Sequence, residues 1–262
     1  MKILSIGNSF SCDAQRYLHE IAKARGDDMQ TANLDIGGCS LQTHCENLIS
    51  DEPLYELEIN GKSTGRLVSI SCALQMDDWD VVTLQQASHF SADFNTYSPY
   101  ISVIATFVRK VLPKVRVVIH QTWAYEDGSE RLLVMAGFQT SKEMFEKVER
   151  SYLMAREEIN ADGIIPCGKA MYIATTEGLK VHRDTFHASL GLGRYLLGLT
   201  WYGFLTGKDV SKDEFGDFDE PVSKEERKKV IMHMLLKFQV ILHLLQEIMN
   251  LQLILMNLLL NH

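Results

Sequence analysis

Hydrophobic positions in this chain come in short runs, each stopped by a polar or glycine-bearing segment. Ile3, Leu4 and Ile6 form the first run, long enough for a strand buried on both faces, and Gly7 and Asn8 break it. From about Asp13 the spacing turns helical, with Tyr17, Leu18, Ile21 and Ala22 recurring at three and four residues. Ala32, Leu34 and Ile36 alternate within residues 30–36, a second strand that stops at Gly37-Gly38-Cys39-Ser40. Buried strands are expected again at 79–84, 116–120 and 163–167. Apolar spacing predicts helices over 101–111, stopped by Pro113, and over 145–159, the latter charged on its outer face. Ala170 to Ala174 starts another helix, and 190–205 reads as a helix whose glycines let it pack closely. Residues 54–70 interrupt this rhythm. Leu57 and Ile59 alternate with glutamates and Asn60-Gly61 supplies a tight turn, so an inserted hairpin is expected near Gly37 and Gly38, either walling a site there or serving equally as a mere excursion.

Strands alternating with helices predict an α/β chain with a mainly parallel sheet covered on both faces. The pattern changes after about residue 210. Residues 209–221 read as a lead-in loop, 224–229 as a charged helix start, and 230–262 as a helix dominated by Leu, Ile, Met and Val. Its longest apolar run is far short of the roughly 20 residues of a membrane span. Gln239, His243, Gln246 and Asn250 make a narrow polar stripe on it. The turns to about Leu245 are expected to pack on the domain. Beyond them, more apolar surface remains than one such contact covers, which favours pairing in a homo-oligomer. A poorly ordered end and a tail read in an altered frame are the alternatives.

Composition narrows the class. With 262 residues, 46% hydrophobic and 23% charged, the chain can bury a large core. A net charge of -8 and the lack of any Lys/Arg block argue against nucleic acid as a partner. Five scattered cysteines suit a reducing compartment better than a disulfide framework. The first apolar run stops at Gly7, too short for a signal peptide. If Met1 is the natural start a cytoplasmic location is expected; a leader ahead of it would mean a secreted or periplasmic one.

Candidate chemistry sits where predicted strands end. Ser9 follows the first strand at a turn into a helix, which lifts its hydroxyl to the carboxyl edge of a sheet, where open α/β folds bind ligands. Read alone, the stretch favours Ser9 as only a helix cap. Gly37 and Gly38 allow close backbone approach and free N–H donors. Gln85 and Gln86 end the third strand, and Trp123 and Tyr125 follow the fourth; these polar and amphipathic side chains are expected to line a pocket. Asp184 and His187 are three residues apart, so on one turn the carboxylate can orient the imidazole while its other nitrogen faces a serine. His182, Asp184 and His187 would also suit a metal, but no fourth ligand accompanies them at a convincing spacing.

Together, Gly7-Asn8-Ser9-Phe10-Ser11, Gly37-Gly38 and Asp184-x-x-His187 resemble the first, second and last sequence blocks of the SGNH (GDSL-like) hydrolases, in the same order. The likeness covers roughly residues 1–207, with 208–262 left as linker and apolar helix. It looks closest to an esterase-like branch whose first block reads Gly-Asn-Ser-Phe-Ser. The resemblance implies a three-layer α/β/α, flavodoxin-like fold with a five-stranded sheet, and ester hydrolysis through an acyl-serine. Ser9 would be the nucleophile, His187 the general base and Asp184 its orienting partner. The N–H groups of Ser9 and Gly38 would form the oxyanion hole with a third-block amide, for which Gln86 is chosen; Gln85, Trp123 and Tyr125 would meet substrate. No cofactor or metal is implied. Two departures stand out: Asn8 replaces the common Asp, and Leu84-Gln85-Gln86-Ala87-Ser88 replaces Gly-x-Asn-Asp. Short acyl esters, acetylated carbohydrates in particular, are the expected substrates. A small-molecule or carbohydrate-binding domain that keeps the fold without the chemistry is the alternative.

Overall fold

A computed structural model describes residues 1–232. Five parallel strands form most of the sheet: β1 (Lys2–Gly7), β2 (Gln30–Asp35), β5 (Val81–Leu84), β6 (Arg116–His120) and β7 (Gly163–Ile165). The inserted hairpin supplies β3 (Tyr55–Ile59) and β4 (Lys62–Val68), which add antiparallel to β2. The order is therefore β4-β3-β2-β1-β5-β6-β7, seven strands rather than the five expected from the parallel set alone. Asn60 and Gly61 both take positive φ, 51° and 72°, the backbone that closes a two-residue hairpin without splaying its strands. This turn packs against the backbone of Arg16 at the amino edge of β2. The hairpin thus widens the sheet, and its turn points away from Gly37 and Gly38 instead of walling them.

β1 lies between β2 and β5, with Ile6 paired to Leu34 on one side and Leu84 on the other. Burial on both faces explains its run of apolar residues. Helices α1 (Ser9–Gln15), α2 (Leu18–Ala24) and α8 (Leu192–Thr206) contact one another on one face. On the other, α5 (Tyr100–Val111) contacts both α3 (Leu41–Ser50) and α6 (Ser141–Ile159); the short α4 (Ile70–Leu74) leads into β5. α7 (Cys167–Thr176) closes the β7 edge, touching α6 and α8. The chain leaves β1 for the α8 face and β5 for the α5 face, so the fold switches direction between them. Such a switch opens a crevice above the carboxyl ends of the strands.

The helix expected from Asp13 begins earlier, at Ser9, and divides after Gln15. Tyr17 at the break turns inward, its hydroxyl donating to Leu190 O at 2.5 Å. α8 is apolar on nearly all sides, and residues 208–223 pack over it rather than serving only as a linker. Phe218 packs 5.2 Å from the Tyr195 ring, Tyr195 donates to Asp213 Oδ2 at 2.7 Å, and Asp219 bridges Arg16 and Arg194. Residues 224–232 are helical. The pairing expected of the chain beyond about Leu245 lies outside the described residues. Among those residues, no helix is long and apolar enough to cross a membrane.

Candidate active site

The turn that carries Ser9 is built around Asn8. Asn8 caps α1, its Oδ1 accepting from Phe10 N at 3.0 Å, while Ser11 Oγ accepts from Asn8 N at 3.1 Å. Both satisfy N–H groups that a helix start leaves open. Gly7 must be glycine here, because a Cβ would lie 2.1 Å from Ser11 Oγ and 2.9 Å from Ser11 Cβ. Asn8 is buried, and its other contacts reach two more strand ends: Nδ2 donates to Cys39 O at 3.1 Å, and Oδ1 accepts from Gln85 Nε2 at 2.6 Å. Gln85 Oε1 in turn accepts from His120 Nδ1 at 2.7 Å, an imidazole that burial pushes down to about 3 and so keeps neutral. One chain of amides therefore ties together the ends of β1, β5 and β6 and the loop after β2.

Ser9, first residue of α1 and half-buried, points its hydroxyl at His187: Oγ to Nε2 is 2.9 Å. His187 Nδ1 lies 2.7 Å from Asp184 Oδ2. A carboxylate only accepts, so Nδ1 carries the proton and Nε2 accepts from Ser9. Burial raises the Asp184 pKa, but hydrogen bonds from the His187 ring and backbone outweigh it and hold the carboxyl below its ordinary range.

The His187 segment is an irregular loop, not the helical turn that the three-residue spacing suggests. Thr185 takes a φ of 71°, His182 and Ala188 form an antiparallel bridge, and Asp184 Oδ1 accepts from His187 N at 2.8 Å. Asp13 anchors the loop from α1, one turn beyond Ser9. Its carboxylate, 1% exposed, receives Arg183 Nη1 at 2.8 and 2.9 Å, Arg194 Nε at 2.9 Å and Ala188 N at 3.1 Å. The helix that begins at Ser9 and the loop that carries His187 are thus joined through one buried ion cluster. Spacing from Ser9 along α1 is the only hint of Asp13 in the sequence, and nothing there identifies its partners.

Several candidate residues are placed differently from expectation. Gln86 is expected in the oxyanion hole, but its amide is fully engaged: Nε2 donates to Thr96 O and Oγ1 at 2.9 and 3.0 Å, and Oε1 accepts from Leu41 N and Ala87 N. Gln85 is expected to meet substrate and is instead a link of the buried amide chain. Trp123 is wholly buried, stacked 4.2 Å beneath Phe10 with Nε1 donating to Phe186 O at 2.6 Å, so it supports the loop and offers no face to a ligand. Tyr125 is also buried, its hydroxyl 3.0 Å from Ser88 Oγ. These side chains satisfy one another because an unpaired polar group in the interior is costly. By contrast, the N–H groups of Ser9 and Gly38 make no hydrogen bond among the described residues, and Gly38 is exposed with a positive φ of 67°. They are available as oxyanion donors.

Phe10, Phe186 and Arg131 complete the surroundings. The Phe186 ring lies 3.8 Å from that of His187, and Arg131 Cζ lies 3.7 Å above Phe186. No group of acidic, histidine and cysteine side chains among the described residues could hold a metal ion. A concavity of about 880 Å³ lies at the opposite edge of the sheet, around Met1, Trp79 and Arg116, and contains none of these groups.

Residues 2–230 match the family model described as "Domain of unknown function (DUF4886)". The chain belongs to this family. A DUF4886 protein of known structure from Bacteroides uniformis is 31% identical, with 90% of this chain and 95% of that one covered and a TM-score of 0.84. Two more distant structures share the fold. A candidate SGNH hydrolase from Slackia heliotrinireducens is 22% identical over 78% of this chain and 98% of that one, TM-score 0.56. A lipase/acylhydrolase from Enterococcus faecalis is 13% identical over 79% and 95%, TM-score 0.53. Comparison with curated proteins gives no match. This DUF4886 chain therefore has the α/β fold of the SGNH hydrolases, widened at one edge by the hairpin.

Proposed function

We propose that this DUF4886 protein is a serine esterase that hydrolyses short acyl esters, acetyl esters of carbohydrates in particular. The continuous line Asp184–His187–Ser9, with contacts of 2.7 and 2.9 Å, carries the reading. His187 Nε2 takes the Ser9 proton as Oγ attacks the ester carbonyl, and the Ser9 and Gly38 N–H groups stabilise the oxyanion. His187 then gives the proton to the departing alcohol, leaving an acyl-serine. Water, deprotonated by the same nitrogen, releases the acid. Asp184 holds the required tautomer throughout and stabilises the imidazolium.

Short acyl groups are favoured because the stacked rings of Phe10 and Trp123, 2% and 0% exposed, fill the space behind Ser9.

The engagement of both third-block glutamines leaves the oxyanion with two donors rather than three, and one such donor is typically worth about 10²–10³ in rate. That observation favours slow turnover and is the best support for a second reading, a binding domain that has lost the chemistry. A fluorophosphonate probe separates the two. The expected result is one label, on Ser9, absent in Ser9→Ala, with p-nitrophenyl acetate hydrolysed faster than the decanoate. A protein that takes no label and turns over no ester is not an esterase.

A further inference from the structure

Arg131 opens a π-helical turn, Arg131–Met135, between β6 and α6. Wide turns of this kind displace one side chain from the helical path and recur at functional sites. Here the displaced segment brings a half-buried guanidinium over Phe186, the residue next to His187. The ring of Phe186 thus touches the catalytic imidazole at 3.8 Å and the guanidinium at 3.7 Å. The Tyr125 hydroxyl, fixed by Ser88, also engages the Arg131 guanidinium from the end of β6, and His89 borders it from the end of β5. No carboxylate pairs with Arg131 among the described residues, whereas Arg183 and Arg194, on the far side of the same loop, both bind Asp13. An arginine stacked on a ring keeps the edge of its plane open, and with one N–H engaged by Tyr125 the five-donor guanidinium still has a pair of parallel N–H groups that fits a carboxylate. On a chain of net charge -8, such an unpaired cation is what would turn a repelled anionic substrate into a bound one.

We infer that Arg131 determines specificity by receiving a carboxylate on the alcohol part of the substrate, so that acyl esters of acidic alcohols, such as acetylated acidic sugars, are preferred to neutral ones. This rests on the esterase reading, in which ester and water give the acid and the alcohol, and Arg131 takes no part in bond making.

The test uses probe pairs that differ in charge: 3- and 4-acetoxybenzoate, each beside the corresponding acetoxybenzamide. In the wild-type protein kcat/KM is compared within each pair, and the ratio of acid to amide is followed in Arg131→Gln and Arg131→Lys. The expected ratio falls about ten- to hundred-fold in the glutamine variant, as for loss of a charge-assisted hydrogen-bond pair, and recovers in part in the lysine variant. Titration calorimetry of the same probes with Ser9→Ala, with and without Arg131→Gln, reads binding without turnover. Melting temperatures show that the variants are folded. A ratio unmoved by Arg131→Gln, with equal binding of acid and amide by Ser9→Ala, overturns the inference. If no ester is hydrolysed but Ser9→Ala binds the acids through Arg131, the esterase reading fails and the anion site stands. If both amides are hydrolysed and charge has no effect, the reverse holds.

Discussion

Asp13 Oδ2 lies 3.1 Å from Ala188 N, joining the helix that begins at Ser9 to the residue after His187 across 175 positions of sequence. With Arg183 and Arg194 on the same carboxylate, this contact holds the Ser9 helix against the His187 loop. Asp13→Ala is expected to cost about 3–5 kcal/mol, because it strands two partly buried guanidiniums. Asp13→Asn keeps an acceptor and should lose less. Well below its melting temperature, Asp13→Asn should still show a reduced kcat with KM little changed and slower phosphonate labelling of Ser9. Normal labelling in a destabilised variant would leave Asp13 with a role in folding alone.

Asp184→Asn tests the orienting role with the loop preserved. The amide oxygen can still accept from His187 N and Phe186 N, the two contacts that Asp184 Oδ1 makes. Its other atom no longer favours a proton on Nδ1. kcat should fall by about 10²–10⁴, the range expected when the imidazole takes the wrong tautomer. Stability should fall by less than about 1.5 kcal/mol. Steady-state kinetics beside thermal melting checks both.

Asn8→Asp should be harmful even though the SGNH hydrolases that the first block resembles commonly carry Asp there. Asn8 Nδ2 donates to Cys39 O, and a carboxylate would set an acceptor against that carbonyl in a buried position. A loss of about 1–3 kcal/mol at neutral pH is expected. The loss should shrink as pH falls, since a protonated carboxyl can donate to the same oxygen. Denaturant unfolding at pH 5 and pH 8 measures the difference.

Asp35 ends β2 beside Cys12, Glu56 and Glu58, and burial followed by those acidic neighbours pushes its carboxyl up to about 6. Folded protein therefore keeps this proton to a higher pH than unfolded chain, whose carboxyl titrates near about 4. Between those values the folded state binds more protons, so stability falls as pH rises through the window and stays lower above it. Asp35→Asn should stabilise the protein by about 1–2 kcal/mol above pH 7 and have little effect near pH 4. Melting curves across that range decide; equal effects at both ends would exclude the linkage.

Much of this protein is legible in the chain itself. Strand positions, the hairpin at Asn60-Gly61, the serine turn and the Asp184–His187 pair all depend on residues a few positions apart, and periodicity and turn chemistry act over that range. The boundaries are less legible: α1 starts at Ser9 because Asn8 and Ser11 cap it together, and α3 escapes the apolar periodicity although Ser40 caps it. The direction of a side chain at a strand end is a different matter. Gln85, Gln86, Trp123 and Tyr125 look like pocket residues in the sequence, since polar and amphipathic groups after strands are not needed for packing. Only the tertiary structure brings Asn8, His120, Thr96 and Phe186 to them, and once those partners are within reach each group is satisfied inside the protein. The same holds for Asp13, whose role depends on two arginines 170 and 181 residues away, and for Arg131, whose place above Phe186 depends on a wide turn between β6 and α6. Short-range pattern determines which groups exist at the sheet edge; long-range contact decides which of them remain free to act.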